Sequence, residues 1–237
     1  MDLLESGIFA APQQEGFMKR CLLFSLLILS TTSLSLAEER EPITNYEVLF
    51  SPQDHVADEL IALIGKEKKS VKTAVYCLMH RGIAKALIDA HKRGVLVEVI
   101  VDPYSVKSRS PVKKMAEANL GIYVWNPEMP VEMKEGKALK KRRPLMHDKF
   151  CILGDNRVWT GSFNFTFEAE KANQENVIIV ENAEVAQRYL KEFKRLKKSG
   201  CVGYEEFVAQ KKYTQTTSKV GQGTGLKAAE NRRPQAS

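Results

Sequence analysis

Between Ile43 and Lys198 the apolar residues of this chain switch repeatedly between two periods, and that switching limits the possible fold more than any other feature. Tyr46–Phe50, Thr73–Met79, Val95–Val101 and Ile122–Trp125 are short runs rich in β-branched and aromatic residues, the pattern of buried strands. Between them, Val56–Lys66 carries Leu60, Ile61, Leu63 and Ile64 at helical spacing, Ile83–Arg93 is helical up to Gly94, and Pro111–Asn119 is a short helix. A second set follows, with Lys149–Leu153 and Arg157–Thr160 as a hairpin, Val177–Val180 as a strand and Ala183–Lys198 as an amphipathic helix. Alternation of this kind predicts an α/β sandwich around a largely central sheet. Residues 126–144 interrupt it with Pro127, Pro130, Gly136 and Pro144. They are predicted as a loop, made basic by Lys134, Lys137, Lys140, Lys141, Arg142 and Arg143.

The two ends of the chain follow other rules. Met18-Lys19-Arg20, the apolar run Cys21–Leu29 and a Ser/Thr-rich stretch closing on Ser35-Leu36-Ala37 have the layout of a secretory signal peptide. The apolar run is short for a membrane span. Residues 1–17 carry acid, Pro and Gln where a signal begins with basic groups, so Met18 is read as the start and 1–17 as spurious. Cleavage after Ala37 makes residues 38–200 the folded domain of an exported, periplasmic or secreted protein; an uncleaved membrane anchor is the alternative. Beyond Gly200 the periodicity fades, and 201–237 is expected as a basic, disordered tail. Cys21 leaves with the signal, so Cys77, Cys151 and Cys201 remain, without C-x-x-C spacing. That pattern suits free, mostly buried thiols rather than a disulfide framework or a zinc site.

One segment carries polar residues that a hydrophobic hairpin has no structural need for. His147 and Lys149 are two apart on an extended segment and so project to one face. After the hairpin, Gly161 leads to Ser162 and Asn164, again two apart. An imidazole nucleophile, an ammonium for a phosphate oxygen, and hydroxyl and amide groups to stabilise developing charge together suit attack on phosphorus. No carboxylates with metal-ligand spacing accompany them, so the cations take the place of a metal, and neither metal nor cofactor is expected.

His147-x-Lys149 followed by Gly161-Ser162-x-Asn164 resembles the signature of the phospholipase D superfamily. The likeness continues through Phe163-Asn164-Phe165-Thr166 to Asn173-Gln-Glu175-Asn176, and over Tyr46 to Leu196 the chain is similar to the small bacterial single-motif members, the exported Nuc-type endonucleases. The resemblance implies a phospholipase D-like α-β-α sandwich with a central mixed sheet. It implies that His147 attacks phosphorus to form a phosphohistidine, that Lys149 and Asn164 bind non-bridging oxygens, and that Ser162 donates a supporting hydrogen bond. Glu175 would orient His147 and hold the proton on its far nitrogen. A second histidine must protonate the leaving group. His55, His80 and His91 lack a companion lysine, so the second histidine is expected from another copy of the chain, in a twofold homodimer with a composite site. The family pattern has Asp five positions after the lysine, where this chain has Gly154; Asp155 is a candidate replacement in a supporting role.

The signature fixes the bond type and leaves the substrate open. A net charge of +7 and the basic run Lys140, Lys141, Arg142 and Arg143 before His147 suit a nucleic-acid backbone, and suit acidic lipid headgroups as well. A metal-independent endonuclease on DNA or RNA is the favoured reading, with a phospholipase D acting on headgroups as the alternative. A nucleic-acid or membrane-binding module whose chemistry has decayed is the third. Trp159 and Tyr76 are expected to serve packing.

Overall fold

The computed structural model describes residues 45–107, 109–129, 132–134, 137–139 and 143–223. The signal segment, Lys140, Lys141, Arg142 and the last fourteen residues lie outside these. The main sheet is built from β1 (Tyr46–Ser51), β2 (Ser70–Val75), β3 (Leu96–Val101), β4 (Gly121–Trp125), β7 (Lys149–Leu153), β8 (Arg157–Gly161), β9 (Glu175–Glu181) and β10 (Cys201–Gly203). Their order across the sheet is β1-β9-β8-β7-β2-β3-β4-β10. The β2, β3 and β4 strands run parallel, as crossover helices require, and every other pairing is antiparallel.

Helices cover both faces. Alternate residues of β7 divide the core: Cys151 and Leu153 face one apolar cluster, Phe150 and Ile152 the other. The first cluster takes in α1 (Val56–Lys66), α2 (Arg81–Lys92), α3 (Val112–Glu117) and α4 (Phe167–Lys171). The second is covered by α5 (Ala183–Gly200), through Ala186, Phe193 and Leu196. This is the expected α-β-α sandwich around a mixed sheet.

Three details correct the sequence reading. The strand expected over Thr73–Met79 ends at Val75, because the Tyr76 amide turns to the Asp148 carbonyl (2.9 Å) and Leu78 bridges to Phe165. The loop expected over 126–144 contains a two-stranded ribbon, β5 (Glu132–Lys134) with β6 (Lys137–Leu139); strands of three residues are too short to register a period. The tail expected from Cys201 instead begins with β10, an edge strand on β4, and α6 (Tyr204–Gly223), which buries Phe207 against the first cluster.

Candidate functional site

The site lies where β2 and β3 end and β7 begins. Two polypeptide segments are fixed there by buried polar groups. The Asp102 carboxylate, almost wholly buried, accepts from the Tyr104 amide (2.9 Å), the Met146 amide (3.2 Å) and both of its oxygens from Arg143 Nη2 (3.2 Å each). Arg143 also reaches the Trp125 carbonyl (2.8 Å), and Trp125 Nε1 donates to the Pro144 carbonyl (2.8 Å). The chain entering the site therefore hangs on one carboxylate, and Met146 is seated in the core immediately before His147. Arg143, expected as a substrate contact, is a structural ion-pair partner; its guanidinium is spent on Asp102 and a carbonyl. Lys140, Lys141 and Arg142 lie outside the described residues.

The second segment is Gly161–Thr166. Phe163 and Phe165 are fully buried against Trp159, which is itself buried core, as expected. Alternation then turns Ser162 and Asn164 away from the core. Phe165 is clamped through its carbonyl by the amides of Met79 (2.7 Å) and His80 (2.8 Å), and through its amide by the Cys77 carbonyl (2.9 Å). Gly161 is required: a Cβ there would sit inside the Asn176 carbonyl of the adjacent strand.

These supports bring His147 and Lys149 together as expected. The Lys149 side chain is buried, with 7% of the residue exposed, while His147 is exposed. Lys149 Nζ lies 3.0 Å from His147 Nδ1 and donates to the His147 carbonyl at 2.6 Å. Nζ also lies 3.5 Å from His147 Nε2, so the ammonium stands beside both nitrogens of the ring. Burial lowers the Lys149 pKa; the Asp148 and Glu175 carboxylates and Cys77 oppose this without cancelling it. Cys77 and Cys151 are buried free thiols, and burial raises both pKa values. Cys201 is half-buried, and burial raises its thiol to about 12.

Glu175 is not on His147. Its carboxylate accepts from Ser162 Oγ (2.6 Å) and Asn173 Nδ2 (3.1 Å), and Ser162 Oγ accepts from the Asn176 amide (3.1 Å). Within the single chain Glu175 fixes Ser162 and Lys149 is the hydrogen-bonding partner of the ring, whereas the resemblance has Glu175 at the imidazole. Asn164 Oδ1 is buried with no hydrogen-bond partner among the described residues, a condition that costs about 1–3 kcal/mol.

Asp155 is elsewhere. It lies in the turn at the opposite end of β7, about 13 Å of strand away, paired with Lys69 at 2.7 Å. The motif position before it, Gly154, has φ +64, a left-handed turn conformation. Asn, Asp and Gly occupy that region most readily, so glycine at 154 suits the turn.

Two residues near the imidazole escaped the sequence reading. Tyr76, expected as packing, lies against His147 with ring centroids 4.6 Å apart. Tyr104 stacks on Tyr76 at 5.3 Å and 11°. The available signal was position, since both follow the carboxyl ends of parallel strands, where open α/β sheets place their sites. Of the other histidines, His80 is fully committed: Nδ1 accepts from the Ile83 amide (3.1 Å) and caps α2, and Nε2 meets Glu170 at 3.0 Å. Burial raises the Glu170 pKa, and the hydrogen bonds from Lys171 and His80 outweigh it, leaving it below the usual carboxylate value.

Comparison with known proteins agrees with this geometry. The family profile described as "Cardiolipin synthase, PLD-like domain" matches residues 60–197. A "Phospholipase D" of Rickettsia bellii is 32% identical over 142 residues, which are 60% of this chain and 63% of that one. A "Mitochondrial cardiolipin hydrolase" of Xenopus tropicalis is 29% identical over 144 residues, 60% of this chain and 61% of that one. The chain thus spans less than two thirds of either relative. Nuc from Salmonella typhimurium, solved as a phospholipase D family member, superimposes with a TM-score of 0.55 at 27% identity, covering 68% of this chain and 97% of that one.

Proposed function

We propose, from the premise that this chain belongs to the phospholipase D-like family of phosphodiester hydrolases, that it is an exported, metal-independent endonuclease working as a homodimer through His147. The observation that carries the chemistry is the buried Lys149 ammonium set against the exposed His147 imidazole, beside Ser162 and Asn164.

The scissile phosphate takes the Lys149 ammonium away from the imidazole, because an anion is a stronger partner than a neutral ring nitrogen. The unprotonated ring nitrogen of His147 attacks phosphorus. As the P–N bond forms, the P–O bond to the leaving group breaks, and the departing oxygen takes a proton from the second histidine. That histidine then removes a proton from water, which attacks the phosphohistidine, breaks the P–N bond and restores both rings. Lys149 and Asn164 hold the non-bridging oxygens, and Ser162, whose one hydroxyl proton goes to Glu175, fixes the turn that presents Asn164.

The second histidine is His147 of a partner chain. His80 has both ring nitrogens engaged, His55 immediately precedes α1, and His91 lies in the last turn of α2. The surface around the site suits a second copy, since Phe50, Leu145 and Phe167 are all more than half exposed there. Phe50 pairs with Asn176, the neighbour of Glu175, and so places the apolar edge strand against the site. Export rests on the layout of residues 18–37, and amino-terminal sequencing of the protein recovered from cell fractions tests it.

Nucleic acid is favoured by the likeness to Nuc over nearly that whole chain, and by the aromatic pair beside His147. A headgroup-releasing phospholipase is the second reading, favoured by the names of the rickettsial and frog relatives. The deciding assay uses the chain from Glu38 and its His147→Ala variant in excess EDTA. Substrates are single- and double-stranded DNA, RNA, and phosphatidylcholine or cardiolipin vesicles. Cleavage of nucleic acid that survives EDTA and vanishes in the variant is the expected result. Headgroup release without nucleic-acid cleavage moves the assignment to phospholipase. Binding without turnover leaves the decayed module.

A further inference from the structure

The loop from Tyr104 to Ser110 joins the site to a basic cleft. It is stitched to the chain beside His147 by three hydrogen bonds: Ser105 Oγ to the Tyr76 carbonyl (3.0 Å), the Leu78 amide to Ser105 Oγ (2.9 Å), and Ser110 Oγ to the Leu78 carbonyl (3.3 Å). At its near end Tyr104 stands half exposed, one ring face on Tyr76 and the other under Lys107 Nζ, 3.4 Å from the ring centroid. At its far end Arg109 and Ser110 enter a cleft of about 620 Å³ between α2 and α3, lined also by Arg81, Lys85, Lys113 and Lys114. Lys85 and Lys113 are paired with Asp89 and Glu117. Among the described residues, no carboxylate lies within ion-pair distance of Arg81, Arg109 or Lys114, and all three are exposed. Arg109 follows Tyr104 by five positions in the chain, a reach of at most about 18 Å.

We propose that this loop and cleft are a binding track for single-stranded nucleic acid, with a base stacked on the outer face of Tyr104 and the adjoining backbone phosphates held by Arg81, Arg109 and Lys114. The inference rests on the nuclease reading and specifies its substrate as the unpaired strand. A base replaces the Lys107 ammonium on Tyr104, because stacking on an aromatic platform outweighs an exposed cation–π contact, and the released ammonium is then free for a phosphate. A paired base keeps both faces inside the duplex stack and has none to offer Tyr104, whereas an unpaired base does. The track starts beside the nucleophile, so a strand lying in it carries its next phosphodiester toward His147.

The test uses four proteins: wild type, Tyr104→Ala, Tyr104→Phe and the double variant Arg81→Ser/Arg109→Ser. Each is assayed in EDTA on bis(p-nitrophenyl) phosphate, on a 20-nucleotide single strand and on the matching duplex. The small diester reports the catalytic centre alone, and Arg81→Ser/Arg109→Ser is expected to turn it over within about twofold of wild type. On the single strand, Tyr104→Ala raises KM roughly tenfold and Tyr104→Phe restores it. The double variant raises KM by a similar factor, and the slope of log KM against log salt falls by about 1.4, the share of two cations on a single strand. Wild type prefers the single strand to the duplex. Unchanged KM and salt slope in the variants overturn the track, as does equal cleavage of strand and duplex by wild type. An equal loss on the small diester also overturns it, by assigning these residues to the catalytic centre or the fold. Wild type that hydrolyses the small diester and releases lipid headgroups from cardiolipin vesicles but cuts no nucleic acid refutes the nuclease reading itself, and the track with it.

Discussion

The two ends of β7 carry residues of one sequence signature and do unrelated work. At the amino end, His147 and Lys149 are in contact, the chain before them is anchored on Asp102, and the polar residues of Gly161–Thr166 are delivered alongside by buried phenylalanines. At the carboxyl end, Gly154 and Asp155 make a hairpin turn whose amide bonds back to the Ser70 carbonyl (2.8 Å), with Asp155 paired to Lys69 in solvent. A signature read along the sequence merges these roles, since five residues separate them. On a strand, five residues span about 17 Å, enough to put the two positions at opposite ends of β7. The lesson is that a departure from a motif must be weighed by where the position falls in space. Gly154 falls on a turn.

The comparison can be broken first at the amino end. His147→Ala is expected to cut turnover at least about 10⁴-fold, as loss of a nucleophile does, with substrate still bound in a filter or fluorescence assay. Lys149→Met is expected to cost about 10²–10³-fold in kcat, the scale for removing one charge-stabilising donor. Asp102→Ala strands the Arg143 guanidinium, and denaturant titration is expected to register a loss of about 3–5 kcal/mol together with reduced turnover.

A pH profile sharpens the same end. Only the protonated Lys149 holds a phosphate oxygen, and burial lowers its pKa, so kcat/KM falls on the alkaline side at a pH below the 10.5 of an ordinary lysine. The sign for stability is opposite. Between the two pKa values the unfolded lysine binds more proton than the folded one, so this group makes the fold more stable as pH rises through that window. Lys149→Met abolishes both trends if Lys149 is their source.

The smallest effects belong to the carboxyl end. Gly154→Asp restores the residue of the family pattern but sets a carboxylate near that of Glu67, which lies 3.3 Å from where a Cβ would stand. The expected outcome is a small loss of stability and turnover within about twofold of wild type. Asp155→Ala is expected to leave both unchanged. A large loss of activity in either variant would mean that the two ends of β7 are coupled after all.

Most of the fold was legible because apolar period is a strong, local signal, and the helix over Val56–Lys66 and the hairpin around Gly154 come out as the pattern predicts. What escaped depends on contacts between distant segments or on elements too short for a period. The three-residue strand β10 is held by pairing with β4, and nothing within Cys201–Gly203 announces it. In the site, His147, Lys149, Ser162 and Asn164 were legible as a spaced set. The partners of Glu175 and Arg143 were not, since both were assigned by chain proximity or family role, whereas the fold pairs Arg143 with the buried Asp102 and Glu175 with Ser162 across neighbouring segments. Tyr76 looked like strand packing because the run continues apolar to Met79. Only the early end of β2 turns its ring to His147.

The most direct test of a nucleophile at the amino end of β7 is capture of the covalent intermediate. A single strand labelled at the scissile phosphate is mixed with the enzyme, quenched within a turnover and digested for mass spectrometry. The expected result is a phosphoramidate on the peptide carrying His147, stable to base, labile to acid and missing from His147→Ala. Normal turnover with no labelled peptide, or a label on any other residue, would contradict the account.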